Sequence, residues 1–229
     1  MKYILVGETH GTLECPRVFL EIIKKHKIKQ VALEFAKDKQ EEIDQYLLGS
    51  RTIDNLSIFK EKEKIHDGRA SNSIKELVSS LKKNNIKIYF VDSDQSDPLK
   101  RDYEMARNLM NLKNKTAFLC GSVHASKTAI KFPKSFVFIN KIMNLFGKGV
   151  MIYKNGIMET CGTFLPEKET ISYKIVAVGG GRYYNFRVHR IKSSKRFKNI
   201  NLNNLTKIVN SKKEGFDYFY LVDKFTPSY

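Results

Sequence analysis

Long apolar segments are missing from this sequence of 229 residues. The amino-terminal stretch MKYILVGETHG has one lysine and only four successive apolar residues before its glycine and glutamate. That stretch is too short for the apolar region of a secretory signal peptide. No run approaches the roughly 18 uncharged apolar residues that a membrane-spanning helix needs. These absences predict a cytoplasmic protein that has no membrane partner.

Cysteine is also scarce, and several catalytic motifs are absent. Cys15, Cys120 and Cys161 are an odd number without CxxC spacing, which argues against a disulfide framework and a structural zinc site. GxSxG, P-loop and HExxH patterns are missing, so a serine hydrolase elbow and nucleotide hydrolysis lose support. A Cys–His nucleophile at Cys15 is an alternative, because a helix amino terminus favours thiolate. Its position beside Pro16 fits packing better.

Acidic residues are outnumbered, with 24 Asp and Glu against 41 Lys and Arg and a formal net charge of +17. Such a charge favours anionic partners, although the abundance of Asn and Ile beside Lys also indicates a composition bias. Residues 182–213 contain ten Lys and Arg and no Asp or Glu. Aromatic residues alternate with these cations, as in proteins that bind single-stranded nucleic acid, but also as in any lysine-rich strand. Gly179–Gly181 followed by Arg182 could bind a phosphate group, but a hairpin turn is the favoured interpretation of this stretch.

Four short apolar runs alternate with segments of helical periodicity in the first part of the chain. The helical segments begin near Pro16, Asp38, Ser71 and Arg101. The apolar runs are residues 2–7, 30–35, 86–92 and 116–121. This alternation predicts an α/β fold with a mainly parallel central sheet flanked by helices, whose strands are buried on both faces.

From about residue 135 the sequence becomes rich in strand-like pieces: SFVFIN, VMIYKNGIMETCGTF and ISYKIVAVGGGRYYNFRVHRI. Asn155–Gly156 is a favourable hairpin turn, and the tail predicts a short helix in LNNLTKIV followed by a strand in DYFYLV. We therefore predict an α/β core over residues 1–134. A basic, β-rich extension over residues 135–229 is expected to continue the same sheet.

Ionisable residues follow several of the predicted strands. Glu8 and His10 lie two residues apart, so in an extended chain their side chains share one side. Glu34, Asp92 and His124 reach the same edge of the sheet, where open parallel sheets bind their ligands. Each residue alone has a structural interpretation, as a hydrogen-bonded histidine or a helix-supporting acid. Together they are costly to bury unless used, which predicts a functional site.

Five short motifs occur in an order that resembles a known family. They are GETHG followed by Pro16, ALEF, HDGRAS at 66–71, RDYEMA at 101–106 and CGSVH at 120–124. This order is similar to that of the erythromycin esterase/ChaN-like superfamily, which includes the Tiki proteases and TraB proteins. The resemblance covers roughly residues 1–130. Macrolide hydrolysis and a Tiki-like extracellular role are not expected, because the large helical insert and a leader or lipid anchor are missing.

The resemblance implies an α/β core with paired Glu and His residues, supported by arginine, in one pocket. Members include metal-independent esterases in which histidine activates water, metal-dependent proteases and a haem-binding lipoprotein. The matching positions, which we predict to be catalytic, are Glu8, His10, Glu34, Arg69, Arg101 and His124. Asp67 and Asp92 are the predicted substrate-binding residues.

In this hypothesis His10 or His124 takes a proton from water, the glutamates orient and charge-balance the histidines, and the arginines stabilise negative charge on a small or anionic substrate. The alternative for both arginines is a structural pairing with acids such as Glu34. His26 and His189 are predicted to be surface residues.

The sequence does not identify a cofactor. Glu8, His10, Glu34 and His124 form a candidate ligand set for a divalent metal such as manganese, iron or zinc. Haem binding in the same pocket is a less favoured alternative, and nucleic-acid binding through residues 182–213 is a third. The substrate, the bond cleaved and the oligomeric state do not follow from the sequence.

Overall fold

A seven-stranded sheet forms the centre of the protein, as seen in a computed structural model. The structure describes residues 1–60, 67–93, 98–135, 137–138, 156–197, 200, 206–210 and 214–229. The strands of this sheet are β1 (Tyr3–Glu8), β2 (Gln30–Ala36), β3 (Lys87–Asp92), β4 (Thr116–Gly121), β7 (Thr170–Ala177), β10 (Thr206–Asn210) and β11 (Tyr218–Val222). Their order is β10-β11-β7-β1-β4-β2-β3, and all neighbours are parallel except β10 and β11.

Helices and two small antiparallel pairs surround this sheet. The helices are α1 (Glu14–His26), α2 (Gln40–Leu48), α3 (Ser57–Lys60), α4 (Asn72–Lys83), α5 (Pro98–Met110) and α6 (Cys161–Phe164). The pairs are β5 (Ile130–Lys131) with β6 (Ile157–Met158), and β8 (Gly181–Asn185) with β9 (Arg187–Ile191). Short 3-10 turns cover Lys37–Lys39, Ile53–Asn55, Glu167–Glu169 and Lys195–Phe197. The predicted α/β class and the four predicted strands of the first part are confirmed.

The core lies on both faces of the sheet, which explains the continuous apolar runs. All six residues of β1 are buried, and their side chains alternate between the faces. Ile4 and Val6 pack with residues of α1 and α4 in one cluster. Tyr3 and Leu5 pack with residues of α5 in a second cluster. Each fully buried aliphatic side chain contributes about 1.5–3 kcal/mol to folding.

Several strand and helix predictions in the second part are wrong. CGTF, predicted within a strand-like piece, is the short helix α6, because Thr160 and Thr163 form a capping box at its start. The predicted helix LNNLTKIV lies outside the described residues over 202–205, and its remainder is strand β10, paired with β11. The backbone of residues 206–209 therefore bonds to a neighbouring strand. This tertiary pairing overrides local helical periodicity.

Other predicted features fall partly outside the described residues. Asn155 of the predicted hairpin turn and residues 150–154 of the second strand-like piece are among them, as are residues 136, 139 and 140 of SFVFIN. The rest of SFVFIN is helical rather than extended. DYFYLV forms β11 as predicted. No helix within the described ranges has the length and apolar character to cross a membrane.

The β8–β9 hairpin packs against the loop that follows β1, and two glycines permit this contact. The Tyr184 amide donates to the Gly11 carbonyl at 3.1 Å. Gly11 and Gly68 have φ of +67° and +85°, and a β-carbon on either would lie 2.1 or 2.5 Å from the Tyr184 carbonyl oxygen. A side chain at either position is excluded both by backbone conformation and by space. The second part of the chain thus borders the loop that carries His10.

Candidate active site

Four neighbouring strands deliver polar groups to one edge of the sheet. Glu8 ends β1, Glu34 lies near the end of β2, Asp92 ends β3 and Gly121 ends β4. Because these strands are parallel, their carboxyl ends meet at the same edge, where ligands bind in open α/β sheets. Glu8 is paired with Gly121, so strands β1 and β4 end at the same level.

A bulge in β2 aims Glu34 into this edge. Leu33 pairs with Phe90 and Ala36 pairs with Asp92, so two residues of β2 oppose one residue of β3. Bulges of this kind redirect side chains and are common beside active sites. The Glu34 side chain accepts the Gly121 amide at 2.7 Å, continuing the pairing with β4 where the backbone ladder stops. Glu34 is only 5% exposed.

The first imidazole is oriented by a carboxylate two residues earlier, as the spacing predicts. His10 Nδ1 lies 2.9 Å from Glu8 Oε1. Glu8 is buried, whereas the His10 side chain is 20% exposed. A carboxylate on Nδ1 favours the tautomer with a proton on that nitrogen and stabilises the imidazolium. The second ring nitrogen, Nε2, is thereby available as a proton acceptor.

The second imidazole has an equivalent carboxylate that the sequence analysis missed. His124 Nδ1 lies 2.7 Å from Asp102 Oδ1. The same oxygen accepts the Cys161 amide at 2.7 Å, which fixes the carboxylate from the amino terminus of α6. Asp102 is 2% exposed, and it follows Arg101 in the RDYEMA motif. An acid buried on the apolar face of α5, beside Met105 and Ala106, was the available signal.

The two histidines converge on one point. His10 Nε2 lies 3.7 Å from Glu34 Oε2, and His124 Nε2 lies 3.6 Å from Glu34 Oε1. Both distances exceed that of a hydrogen bond, so neither Nε2 is committed to the carboxylate. A β-carbon at Gly121 would lie 3.1 Å from His10 Nε2 and 3.5 Å from His124 Cδ2. The missing side chain of Gly121 therefore leaves space beside both rings.

The two arginines bind acids at the same edge. Arg101 Nε donates to Asp92 Oδ1 at 2.7 Å, and its Nη2 donates to Asp92 Oδ2 at 2.5 Å and to Glu34 Oε1 at 2.6 Å. Arg69 Nε donates to Asp67 at 2.6 Å, and its Nη1 donates to Asp92 at 3.2 Å. The oxygens of Asp67 and Asp92 therefore contact arginine, which favours a role in orienting the guanidiniums. The structural pairing weighed as an alternative is thus present.

The acids outweigh the cations and change the pKa of both histidines. Burial alone lowers the pKa of His10, but the charges of Glu8 and Glu34 outweigh it and raise that pKa above the ordinary 6.5. Burial likewise opposes the charged form of His124, and Glu34 and Asp102 raise its pKa. For Glu34, burial disfavours the anion, yet the two histidines and two guanidiniums hold its pKa far below its usual range.

The predicted metal ligands lie together, but their arrangement does not fit a divalent ion. Glu34 already accepts bonds on both oxygens, from Arg101 and from the Gly121 amide. The guanidiniums of Arg101 and Arg69 already pair with this carboxylate. Over the described ranges, no group of three or more His, Cys, Asp or Glu side chains is placed to hold a metal.

The cysteines and the remaining described histidines have other contacts. All three thiols are buried, and burial, followed by the charge of Glu8, raises the pKa of Cys15. Its thiolate is disfavoured, which supports packing over a nucleophilic role. His26 bonds to the Tyr173 hydroxyl at 2.9 Å, and His189 stacks on Tyr183. Both are half-buried rather than fully exposed surface residues.

The aromatic residues of the basic stretch do not form an open stacking platform. Tyr183 stacks on His189, and Tyr184 packs edge-on against Tyr229. Phe197 is buried, whereas Phe186 at the hairpin tip is 67% exposed. Base stacking needs accessible rings. The structure therefore does not support the predicted nucleic-acid partner.

The fold and the site define an α/β protein with two carboxylate-bound imidazoles at one sheet edge. No protein-family model matches the sequence, and comparison with curated proteins gives no significant match. Solved structures share the fold. A mutant of the erythromycin esterase EreC in its open conformation is 10% identical with a TM-score of 0.65, covering 99% of this chain and 91% of that one.

Two further structures are similar over nearly the whole chain. A protein from Bacillus cereus is 12% identical with a TM-score of 0.62, covering 99% of this chain and 89% of that one. The type III effector HopBA1 is 12% identical with a TM-score of 0.56, covering 97% and 88%. At such identities the likeness shows the fold alone. The chain shares its fold with an erythromycin esterase, as the motifs predicted.

Proposed function

We propose that this chain is a hydrolase in which the two histidines act on water and on the leaving group. The observation that carries this proposal is that His10 Nε2 and His124 Nε2 both lie within 3.7 Å of the Glu34 carboxylate, each ring being held by its own carboxylate. A structural histidine needs one partner, whereas two rings aimed at one space suit general acid–base catalysis. The shared fold of an erythromycin esterase is consistent with this reaction class.

The electrostatics of the site suit a division of roles between the rings. Because the acids raise the pKa of both histidines, one ring can hold a proton near neutral pH while its neighbour is neutral. The neutral Nε2 takes a proton from water, and the resulting hydroxide adds to the carbonyl carbon of an ester. When the bond from carbon to the leaving oxygen breaks, the protonated Nε2 of the other ring donates its proton to that oxygen.

Glu34 and the two arginines stabilise the charges that form in this reaction. Glu34 lies between the rings and stabilises whichever imidazolium forms, and Arg101 and Arg69 fix its carboxylate. The side chains of Arg69 and Arg101 are about one quarter exposed, at 25% and 26%. Part of each side chain is therefore accessible, and a guanidinium suits a developing negative charge on the substrate.

The direct test is turnover of ester, amide and phosphoester substrates by His10→Ala and His124→Ala. Removing a general acid or base costs about 10²- to 10⁴-fold in rate, so each variant should lose at least about 100-fold of any activity of the parent protein. His26→Ala is the matched control, since that histidine bonds to Tyr173 away from the site. Turnover that persists in both site variants removes these rings from the mechanism.

Metal and haem binding remain the alternatives for the same pocket. Dialysis against a chelator should leave activity unchanged if the donor set is unsuited to a divalent ion, as its contacts indicate. Elemental analysis and an absorbance spectrum of the fresh protein check the two alternatives. A stoichiometric metal or a Soret band lost in His10→Ala would replace the hydrolase proposal by a binding function.

A further inference from the structure

A basic groove lies at the same edge of the sheet as the two histidines. Strand β7 runs parallel to β1, and the groove begins at Gly179, just beyond the carboxyl end of β7. It has a volume of about 820 Å³, and the charged residues that line it are Arg182, Arg190, Lys192 and Lys195. Ligand-binding clefts commonly have volumes of about 300–1,000 Å³. The groove is therefore large enough for a small molecule.

The two arginines of the groove lie side by side, and an anion bound between them would relieve their repulsion. Arg182 and Arg190 are directly paired across the β8–β9 hairpin, where side chains start about 5 Å apart. Like charges at such positions destabilise a hairpin. Among the side chains that the structure describes, no carboxylate forms an ion pair with either arginine, with Lys192 or with Lys195. Since residues 182–213 contain no acid, that segment supplies no countercharge of its own.

One carboxylate lies close to the groove, and its single negative charge does not neutralise the four cations that line it. Asp223 Oδ1 would lie 3.6 Å from a β-carbon at Gly179, and the Asp223 carbonyl accepts the Gly179 amide. Four cations against this single acid leave the groove strongly positive. A multiply charged anion is the ligand that satisfies such a set, and phosphate groups accept bonds from arginine and lysine alike.

The groove is unsuited to stacked bases. Its lining has no aromatic residue, because Tyr183 stacks on His189 and Tyr184 packs on Tyr229 instead. Single-stranded nucleic acid is bound by combining cations with open aromatic faces. Charge without stacking favours a phosphate-bearing small molecule over an oligonucleotide.

The hairpin that lines the groove also contacts the loop that carries His10. The Tyr184 amide donates to the carbonyl of Gly11, the neighbour of His10, and Arg182 precedes Tyr184 by two residues, about 7 Å along β8. The histidine site has five carboxylates against two guanidiniums, so it suits a multiply charged anion less well than the groove does. A substrate that spans both regions is therefore expected to be neutral at the histidines and anionic in the groove.

We propose that the basic groove binds the phosphate-bearing end of the substrate, while the neutral scissile group lies at His10 and His124. The assignment of the scissile end rests on the proposed hydrolase function. The binding of phosphate in the groove rests on the groove alone and is tested without catalysis.

The test is a calorimetric titration with inorganic tripolyphosphate at low ionic strength. The double variant Arg182→Gln/Arg190→Gln should bind it about 10- to 30-fold more weakly, since each lost contact weakens attraction by about 1 kcal/mol in water. The matched control is Lys29→Gln/Lys87→Gln, which removes the same charge from two exposed residues at the amino ends of β2 and β3. Its affinity should stay within about twofold of the parent, because those charges lie at the opposite edge.

Three outcomes overturn the groove assignment: no tripolyphosphate binding, equal weakening in both double variants, or groove-dependent binding of a short oligothymidylate with none of tripolyphosphate. The last result would make nucleic acid the ligand. The calorimetric titration involves no turnover, so it tests the groove separately from the hydrolase. A groove that fails to bind tripolyphosphate leaves the role of the histidines to be decided by the His10→Ala and His124→Ala variants.

Discussion

Replacing Asp102 by Asn isolates the charge of the carboxylate that orients His124. Asp102 Oδ1 accepts both the His124 ring and the Cys161 amide, and an asparagine oxygen at the same place accepts both bonds again. The variant therefore keeps the geometry and loses only the negative charge. A hydrogen bond to a charged group is worth about 1.5–3 kcal/mol, against about 0.5–1.5 kcal/mol for a neutral one.

The loss of this charge lowers the stabilisation of the protonated His124 ring by roughly 1 kcal/mol or slightly more. If this imidazolium forms or acts in the rate-limiting step, the rate should fall about tenfold. The pKa of His124, raised in the folded protein by Glu34 and Asp102, should move down, and so should the midpoint of the pH–rate profile. Histidine resonances followed by NMR through a pH titration measure this shift even without a substrate.

Asp102→Asn should also change the free energy of unfolding, by an amount that depends on pH. A histidine whose folded pKa is raised adds stability that is fully present below its unfolded pKa and is lost as the pH rises through the folded value. The parent protein should therefore be stabilised relative to Asp102→Asn at pH values below about 6.5, and this advantage should shrink at higher pH. Urea unfolding at several pH values measures it. An unmoved His124 titration and a pH-independent difference would refute the charge argument.

Two further variants test the site. The methyl group of Gly121→Ala would lie 3.1 Å from His10 Nε2. This variant should lower turnover about tenfold or more, because the methyl group fills the space for water, and should leave the melting temperature nearly unchanged. Full activity would place the reaction elsewhere. Glu34→Gln should cost about 3–5 kcal/mol in urea unfolding because it removes the charge of a buried carboxylate that pairs with Arg101 and Arg69. Glu104→Gln, from the surface pair with Arg107, should cost less than about 1 kcal/mol. The Glu34 difference should narrow as the pH falls below 4.5, the ordinary pKa that Glu34 is held beneath; equal costs for both variants would contradict the pairing.

The sequence by itself determined which residues stand at the site's edge of the sheet. Continuous apolar runs marked strands buried on both faces, and the residue after each run had to lie at the carboxyl edge, since parallel strands share one direction. The spacing of Glu8 and His10 fixed a common side because side chains alternate along an extended chain. These are local rules, so they needed no knowledge of partners.

Tertiary structure alone decided the contacts that give the site its chemistry. Asp102 lies on a helix, where neighbouring residues diverge by about 100°, so its place on the apolar face of α5 indicated burial but did not identify His124 as its partner. The bulge that redirects Glu34 depends on how β2 and β3 pair. Strand β7 inserts beside β1 although more than 160 residues separate them in the chain. Such pairings depend on the packing of whole faces, which periodicity does not encode, and they bring the basic groove to the edge that carries the histidines.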